Sequence, residues 1–355
     1  MSTSIALEPF VKLADPTTYQ ACDWDLSHDE DGRVHWVNFF KRHIRTILKS
    51  GLESDEVKKS KHIFDFYGAA DNASWELENK LDRFLANPES FGRVTIMDLD
   101  RWRDETLRFY QFRDCFYELK TRENERMLPL LPAVCSQVDS LGGKAQHRVL
   151  IEGIFAGNIF DMGAEATAKA FVNTSPDFFT TRSALAPRPW LIDDYDKLAA
   201  RMLDHVHTRA IFFIDNAGSD FLLGAVPFIR WMARRGTSVV IAANELPTLN
   251  DMTIHDVRLW WPRIVQIQPD LGSLPIEFCS TGTGDPLIDL SQVSRELNDA
   301  SREADLVILE GMGRGIESNL DARFNCDAFN IAMIKDPVIG KRLGGKTFDL
   351  VCRFR

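Results

Sequence analysis

The chain reads as two folds in series: a mainly helical N-terminal domain over residues 1–186, and an α/β domain over residues 187–355 on a mainly parallel, doubly wound sheet. Three observations predict this. Apolar residues in the first half recur at helix-face spacing. Beyond it, short β-rich runs alternate with helix-like stretches. Between them lies Ala186-Pro187-Arg188-Pro189-Trp190, whose prolines make a stiff, extended connector.

Taken in order, Trp36, Phe39, Phe40, Ile44, Ile47 and Leu48 form a first helical stripe. Trp75, Leu77, Leu81, Phe84 and Leu85 form a second, and Trp102, Leu107, Phe112, Cys115, Phe116 and Leu119 a third. These stripes read as core. The mixed-charge run from Lys49 to Lys61 reads as a solvated loop or helix face. A further helix is expected over Gln146–Phe171. In the second half, strands are expected at Ala210–Ile214, Ser238–Ala243, Ile276–Ser280, Leu306–Leu309, Phe329–Ile334 and Phe348–Phe354. Helices are expected between several of them, at Phe221–Arg235 and Ser291–Ala300 among others.

Composition narrows the function. The net charge of −10 argues against a nucleic-acid partner, which requires a basic footprint. No apolar run reaches the roughly 18 residues of a membrane span. The first residues lack the basic and apolar regions of a signal peptide, so a cytoplasmic location is expected. The 6 cysteines are scattered without a CxxC pair, which fits reduced, buried thiols.

The motifs with chemical content cluster where strands end. The run Ala210–Ile214 is followed by Asp215-Asn216-Ala217-Gly218. In an open parallel sheet, ligands collect outside the carboxyl ends of the strands. A carboxylate and an amide there are two oxygen ligands for a hard cation, or an Asx turn that caps the next helix. The second run ends at Asn244-Glu245 and leads to Asn250-Asp251. If its strand neighbours the first, Asp251 joins Asp215 and Asn216 around one ion. Otherwise Asn250 or Asp251 simply caps the following helix.

The run Leu306–Leu309 enters Glu310-Gly311-Met312-Gly313-Arg314-Gly315. Its glycines allow backbone N–H groups to approach an anion, and Arg314 can fork onto phosphate oxygens. Lys335 ends the fifth strand, as an anion clamp or an exposed strand end. Asn158 and Asp161 share one helix face, directed into a cleft or paired between domains. Asp220 serves as a base or supports its helix terminus. Two further patterns mislead. Gly311–Ile316 misses the third glycine of a dinucleotide fingerprint. Gly340–Thr347 satisfies GxxxxGK[ST], but it precedes a strand where a P-loop follows one. It reads as a turn into the last strand, with Lys346 at the edge opposite the ligand edge. A dehalogenase-type phosphatase needs a second Asp where Ala217 stands.

Together, Gly153–Asp161, Pro187–Trp190, Ile214–Gly218, Ala243–Pro247 with Asn250-Asp251, and Glu310–Arg314 resemble the DUF89 family of metal-dependent damage-control phosphatases. The nearest likeness is to the plant-type stand-alone subfamily, which also forms the phosphatase domain of pantothenate kinase 4. The Glu-Gly-Met-Gly-Arg stretch separates that subfamily from the sugar-phosphate branch. The resemblance implies a three-layer α/β/α domain beneath the helices, with no kinase domain attached. It implies one divalent cation (Mn, Mg, Co or Ni) on Asp215, Asn216 and Asp251. It further implies hydrolysis of a small phosphorylated metabolite linked to coenzyme A metabolism, 4′-phosphopantetheine or its oxidised or damaged forms.

On this reading Asp215, Asp251 and Asp220 carry the chemistry. Asn158, Asp161, Asn244, Glu310, Gly311, Gly313, Arg314 and Lys335 hold the substrate. The nucleophile is either water or the Asp215 carboxylate, and metal ligation blunts the carboxylate. A non-catalytic protein that binds a phosphorylated metabolite, or a sugar-phosphate phosphatase, is the alternative.

Overall fold

The structure, a computed structural model, describes residues 6–59, 63–159 and 178–355. Contacts divide the chain into two compact units, and they cut it differently from the expected boundary at residue 186. One comprises Cys22–Lys120 with Pro247–Leu249; the other comprises Met1–Ala21, Thr121–Leu246 and Asn250–Arg355.

The smaller unit is built on helices Glu30–Leu52, Ile63–Ala86 and Ile96–Phe109. Each begins or packs as its sequence dictates. Asp29 caps the first by accepting from the Gly32 N–H, and Thr95 and Asp98 form a capping box on the third. Trp36, Phe40, Ile44, Leu77, Leu81 and Phe84 are buried, as the stripes require. Trp75 is not: it is 69% exposed. Ala73, Leu77, Leu81 and Phe84 define the buried face, and a residue two positions from Leu77 points to the opposite side of a helix.

The larger unit carries the sheet. Its strands are β1 (Leu7–Glu8), β2 (Ile192–Asp193), β3 (Arg209–Phe213), β4 (Ser238–Ala243), β5 (Ile276–Ser280), β6 (Val293–Ser294), β7 (Leu306–Glu310), β8 (Asp327–Met333) and β9 (Leu350–Phe354). Seven form one sheet in the order β2-β9-β8-β7-β3-β4-β5, while β1 and β6 pair separately. The five strands from β8 to β5 are parallel; β9 runs antiparallel to β8 and β2 follows β9. The segment expected as a helix at Ser291–Ala300 instead opens with β6. The helix Arg295–Ser301 begins where the Ser294 hydroxyl accepts from the Leu297 N–H at 3.0 Å.

Strand side chains alternate between two cores, as the two-residue period requires. Ala210, Phe212 and Ile214 face a layer that includes helices Leu131–Asp139, Gly143–Ile159 and Val226–Arg234. Ile211 and Phe213 face Phe10, Leu290, Val293 and Leu297. A sheet covered on both faces explains why its central strands are unbroken apolar runs. The helix expected over Gln146–Phe171 is present as Gly143–Ile159, and its remainder, with Asp161, lies outside the described residues.

Candidate functional site

The chain passes from β3 to β4 and β5, then crosses back to place β7 on the other side of β3. The order of the strands therefore reverses between β3 and β7, the switch point where doubly wound sheets open a crevice. Phe213 stands opposite Leu309, so Asp215 and Glu310 leave the sheet side by side. The Asp215 N–H donates to Glu310 Oε2 at 3.3 Å.

The second expected neighbour is also in place. β4 adjoins β3 on its other side, and Asn216 bridges Asp251 in a short antiparallel pairing. The Met252 N–H donates to the Asp215 carbonyl and the Ala217 N–H to the Asn250 carbonyl, both at 2.9 Å. Asp215, Asn216 and Asp251 are thus brought together by backbone pairing, not by side-chain reach alone.

Around them lies a buried polar network. Arg314 donates through Nη1 to Asp215 Oδ1 and through Nη2 to Asp251 Oδ2, the latter at 2.6 Å. The Asn216 amide donates to Asp215 Oδ2 at 2.7 Å and to Asp220 Oδ2 at 3.0 Å. Asn158 donates to the same two oxygens, at 3.3 and 3.0 Å. Asn244 donates to Asp251 Oδ2 at 3.1 Å. Arg314, expected on phosphate oxygens, is therefore a fork between two carboxylates here.

Glycines make this density possible. Gly311 has φ +90°, and a Cβ there would lie 2.1 Å from Asp215 Oδ2. Its N–H, expected to face an anion, donates to the Ile331 carbonyl instead. At Gly157 a Cβ would lie 2.8 Å from Asp220 Cα, which is how the helix bearing Asn158 comes close enough. Both site strands run into single π-helical turns, Asp220–Ala225 after β3 and Gly313–Ser318 after β7. Such turns recur at functional sites because they re-aim side chains within a helix.

The electrostatics follow from crowding. Burial, then the charge of Asp215, pushes the Asp220 carboxyl up to about 6. Burial, then Asp220 and Asp215, pushes Glu310 well above the usual carboxylate range. Burial opposes the charge on Arg314, but Asp251 and Asp215 outweigh it and raise its pKa. Lys335 is buried, and its charge draws the Asp220 pKa down. Asn244 Oδ1, Asp220 Oδ1 and Glu310 Oε1 receive no N–H or hydroxyl donor among the described residues, and a hydrogen bond between the Asp220 and Glu310 carboxyls adds to the rise of the Glu310 pKa. Four buried carboxylates against two buried cations leave an oxygen-rich, net negative site that fits a hard divalent ion, which takes oxygen ligands. Among the described residues no three His, Cys, Asp or Glu side chains form a ready metal group.

Two supports escaped the sequence reading. Asn124 accepts from the Gly218 N–H at 2.7 Å and fixes the loop that carries Asp215. Asn330 donates to the Gly315 and Asn319 carbonyls at 2.7 and 3.0 Å, bracing the turn that carries Arg314. Asn330 was visible as an amide in the middle of an apolar strand. Asn124 gave no signal, since it lies in a polar helix. The GxxxxGK run begins in the last turn of helix Pro337–Arg342 and leads to β9. Its edge was misjudged: because β9 is antiparallel, with Met333 opposite Leu350, Lys346 lies at the carboxyl end of β8.

The profile of the damage-control phosphatase ARMT1-like domain matches residues 39–351. The damage-control phosphatase At2g17340 of Arabidopsis thaliana is 36% identical, across 100% of this chain and 99% of that protein. Pantothenate kinase 2 of Arabidopsis thaliana is 35% identical over 98% of the chain, which spans 42% of that protein. The 4′-phosphopantetheine phosphatase of Mus musculus is 28% identical over 96% of the chain, which spans 48% of that protein. In fold, the chain is similar to the crystal structure of a DUF89 family protein from Pyrococcus horikoshii. The TM-score is 0.62 at 19% identity, covering 90% of this chain and 96% of that one.

Proposed function

The chain belongs to the ARMT1-like damage-control phosphatase family, and from that premise we propose that it is a divalent-metal-dependent phosphatase of small phosphomonoesters. The observation that carries the reading is the gathering of Asp215, Asn216 and Asp251 at the switch point, beside the buried carboxyls of Asp220 and Glu310. The mouse relative's name points to 4′-phosphopantetheine, or its oxidised or damaged forms, as the substrate class.

Asp215, Asn216 and Asp251 would hold the ion, with Asn216 turning its amide oxygen inward. When bound, the ion polarises a phosphoryl oxygen and offsets charge in a loose transition state. Asp220 would take a proton from the attacking water at Oδ1. Asn158 and Asn216 hold Oδ2 of the same carboxylate and so aim Oδ1. Lys335 supplies positive charge for the phosphate. Asn244, Glu310, Gly313 and Arg314 complete the walls of the site.

The test is phosphate release from a panel of phosphomonoesters with Mg²⁺, Mn²⁺, Co²⁺ and Ni²⁺ added separately, and with chelator. Activity is expected only with metal, and Asp215→Asn or Asp251→Asn should lower kcat by at least about a hundredfold. Release that survives chelation, or variants that keep more than about a tenth of wild-type activity, would count against the assignment.

A further inference from the structure

We propose that Tyr19 is a positioning residue for Arg314, acting through Asn319 on the turn Gly313–Ser318; this rests on the reading that Arg314 holds two carboxylates of a metal site. All of these residues lie in the larger unit. Three consecutive carbonyls of the turn accept from side chains. The Ser318 hydroxyl donates to Gly313 at 2.7 Å, the Asn319 amide to Arg314 at 3.1 Å and the Asn330 amide to Gly315 at 2.7 Å. Asn319 also donates to the Ile288 carbonyl at 3.0 Å and to the Ser318 hydroxyl at 2.9 Å. Its own oxygen accepts from the Tyr19 hydroxyl at 2.7 Å, and that hydroxyl accepts from the Leu290 N–H at 3.0 Å. Arg314, Asn319 and Asn330 are buried, and Tyr19 is half-buried.

The direction of this chain of hydrogen bonds is fixed at both ends. A backbone N–H only donates and a backbone carbonyl only accepts. With Leu290 donating to it, the Tyr19 hydroxyl turns its proton to Asn319 Oδ1, and the Asn319 NH₂ group then faces the Arg314 carbonyl. The Phe10 N–H donates to the Leu290 carbonyl at 2.7 Å, so the segment from Phe10 to Tyr19 is tied to Leu290 at both ends. The exposed residues 14–18 thus end in a side chain that braces the turn from behind. From the front of the same turn, Arg314 reaches Asp215 and Asp251. Without the hydroxyl, Asn319 Oδ1 and the Leu290 N–H both lose a partner, and the amide is free to turn from the Arg314 carbonyl. The turn then loosens, and the guanidinium shifts relative to both carboxylates.

Tyr19→Phe removes the hydroxyl alone, and Asn319→Asp turns an acceptor towards the Arg314 carbonyl at constant volume. Two measurements are made on each full-length variant. The Arg314 Nε–H resonance of arginine-labelled, metal-free protein, identified by its loss in Arg314→Lys, reports the guanidinium. The kcat and KM for p-nitrophenyl phosphate with Mn²⁺ report the reaction, with Asp251→Asn as control. In Tyr19→Phe the resonance should shift and exchange with solvent roughly tenfold faster. In the same variant kcat should fall roughly fivefold with KM within about twofold, as expected when support behind a site residue is removed. Asn319→Asp should change both in the same direction and further. A wild-type Arg314 resonance, or a wild-type kcat, in Tyr19→Phe overturns the proposal alone. No Mn²⁺-dependent turnover by the wild type, or turnover that Asp251→Asn leaves intact, overturns the functional reading and the proposal with it.

Discussion

At the scale of single residues, the site is organised by what is missing as much as by what is charged. Gly311 has no side chain, and the Asp215 carboxylate occupies the space one would fill. Gly311→Ala therefore meets two penalties: a left-handed backbone at φ +90° and a collision at 2.1 Å. The strain alone is on the order of 1–3 kcal/mol. The displaced carboxylate matters more, since an ångström of misplacement costs roughly a hundredfold in rate. Steady-state kinetics and thermal melting of Gly311→Ala should show a large fall in kcat beside a modest fall in stability. An alanine variant as active as wild type would mean that Asp215 tolerates displacement and is not the pivot of the site.

At the scale of elements, the helix Gly143–Ile159 joins the carboxyl edge of the sheet to the core. Its end presents Asn158 to Asp215 and Asp220, and its first half buries His147 against Tyr195, Phe228 and Trp231. Burial pushes the His147 imidazole down to about 4, and its Nε2 has no partner among the described residues. The unfolded chain, with an ordinary histidine near pH 6.5, binds the proton first as pH falls. Stability is therefore complete above about pH 6.5 and is lost progressively down to about pH 4, by at most about 3 kcal/mol from this group. His147→Phe keeps an aromatic ring and removes the titration. Urea unfolding between pH 7 and pH 4.5 should show a shallower acid slope in the variant; an identical slope would place the acid sensitivity elsewhere.

At the scale of the whole molecule, topology separates the site from a motif that imitates another. The GxxxxGK run stands at the start of β9, at the same edge as the carboxylates, but the order β9-β8-β7-β3 keeps it away from the switch point. Strand, loop and helix also come in the wrong sequence for a phosphate cradle. Lys346 is exposed in this turn. Lys346→Ala should leave phosphatase kcat and KM within about twofold of wild type, and equilibrium dialysis should detect no tight ATP binding in either form. Tight ATP binding abolished by the substitution would revive the nucleotide reading.

The sequence by itself determined the local elements and singled out polar residues that the structure gathers at one edge of the sheet. Apolar runs such as Ala210–Ile214 are strands because a sheet covered on both faces needs them so, and period-3.6 stripes are helices for the matching reason. Asp215, Asn216 and Glu310 stood out because ligands collect at the carboxyl ends of parallel strands, while Asp251 depended on its strand neighbouring the first. Trp75 was misjudged because periodicity gives a face but not its width. The tertiary structure alone decided the rest. Whether β9 ran parallel or antiparallel depended on pairing between strands, and that choice moved Lys346 from one edge to the other. It alone turned Arg314 onto two carboxylates, engaged the Gly311 N–H with Ile331, and set Asn124 behind the Asp215 loop, far from it in sequence. These are long-range contacts between groups that each satisfy local rules equally well in several partners' company. Burial and geometry, not spacing along the chain, choose among them.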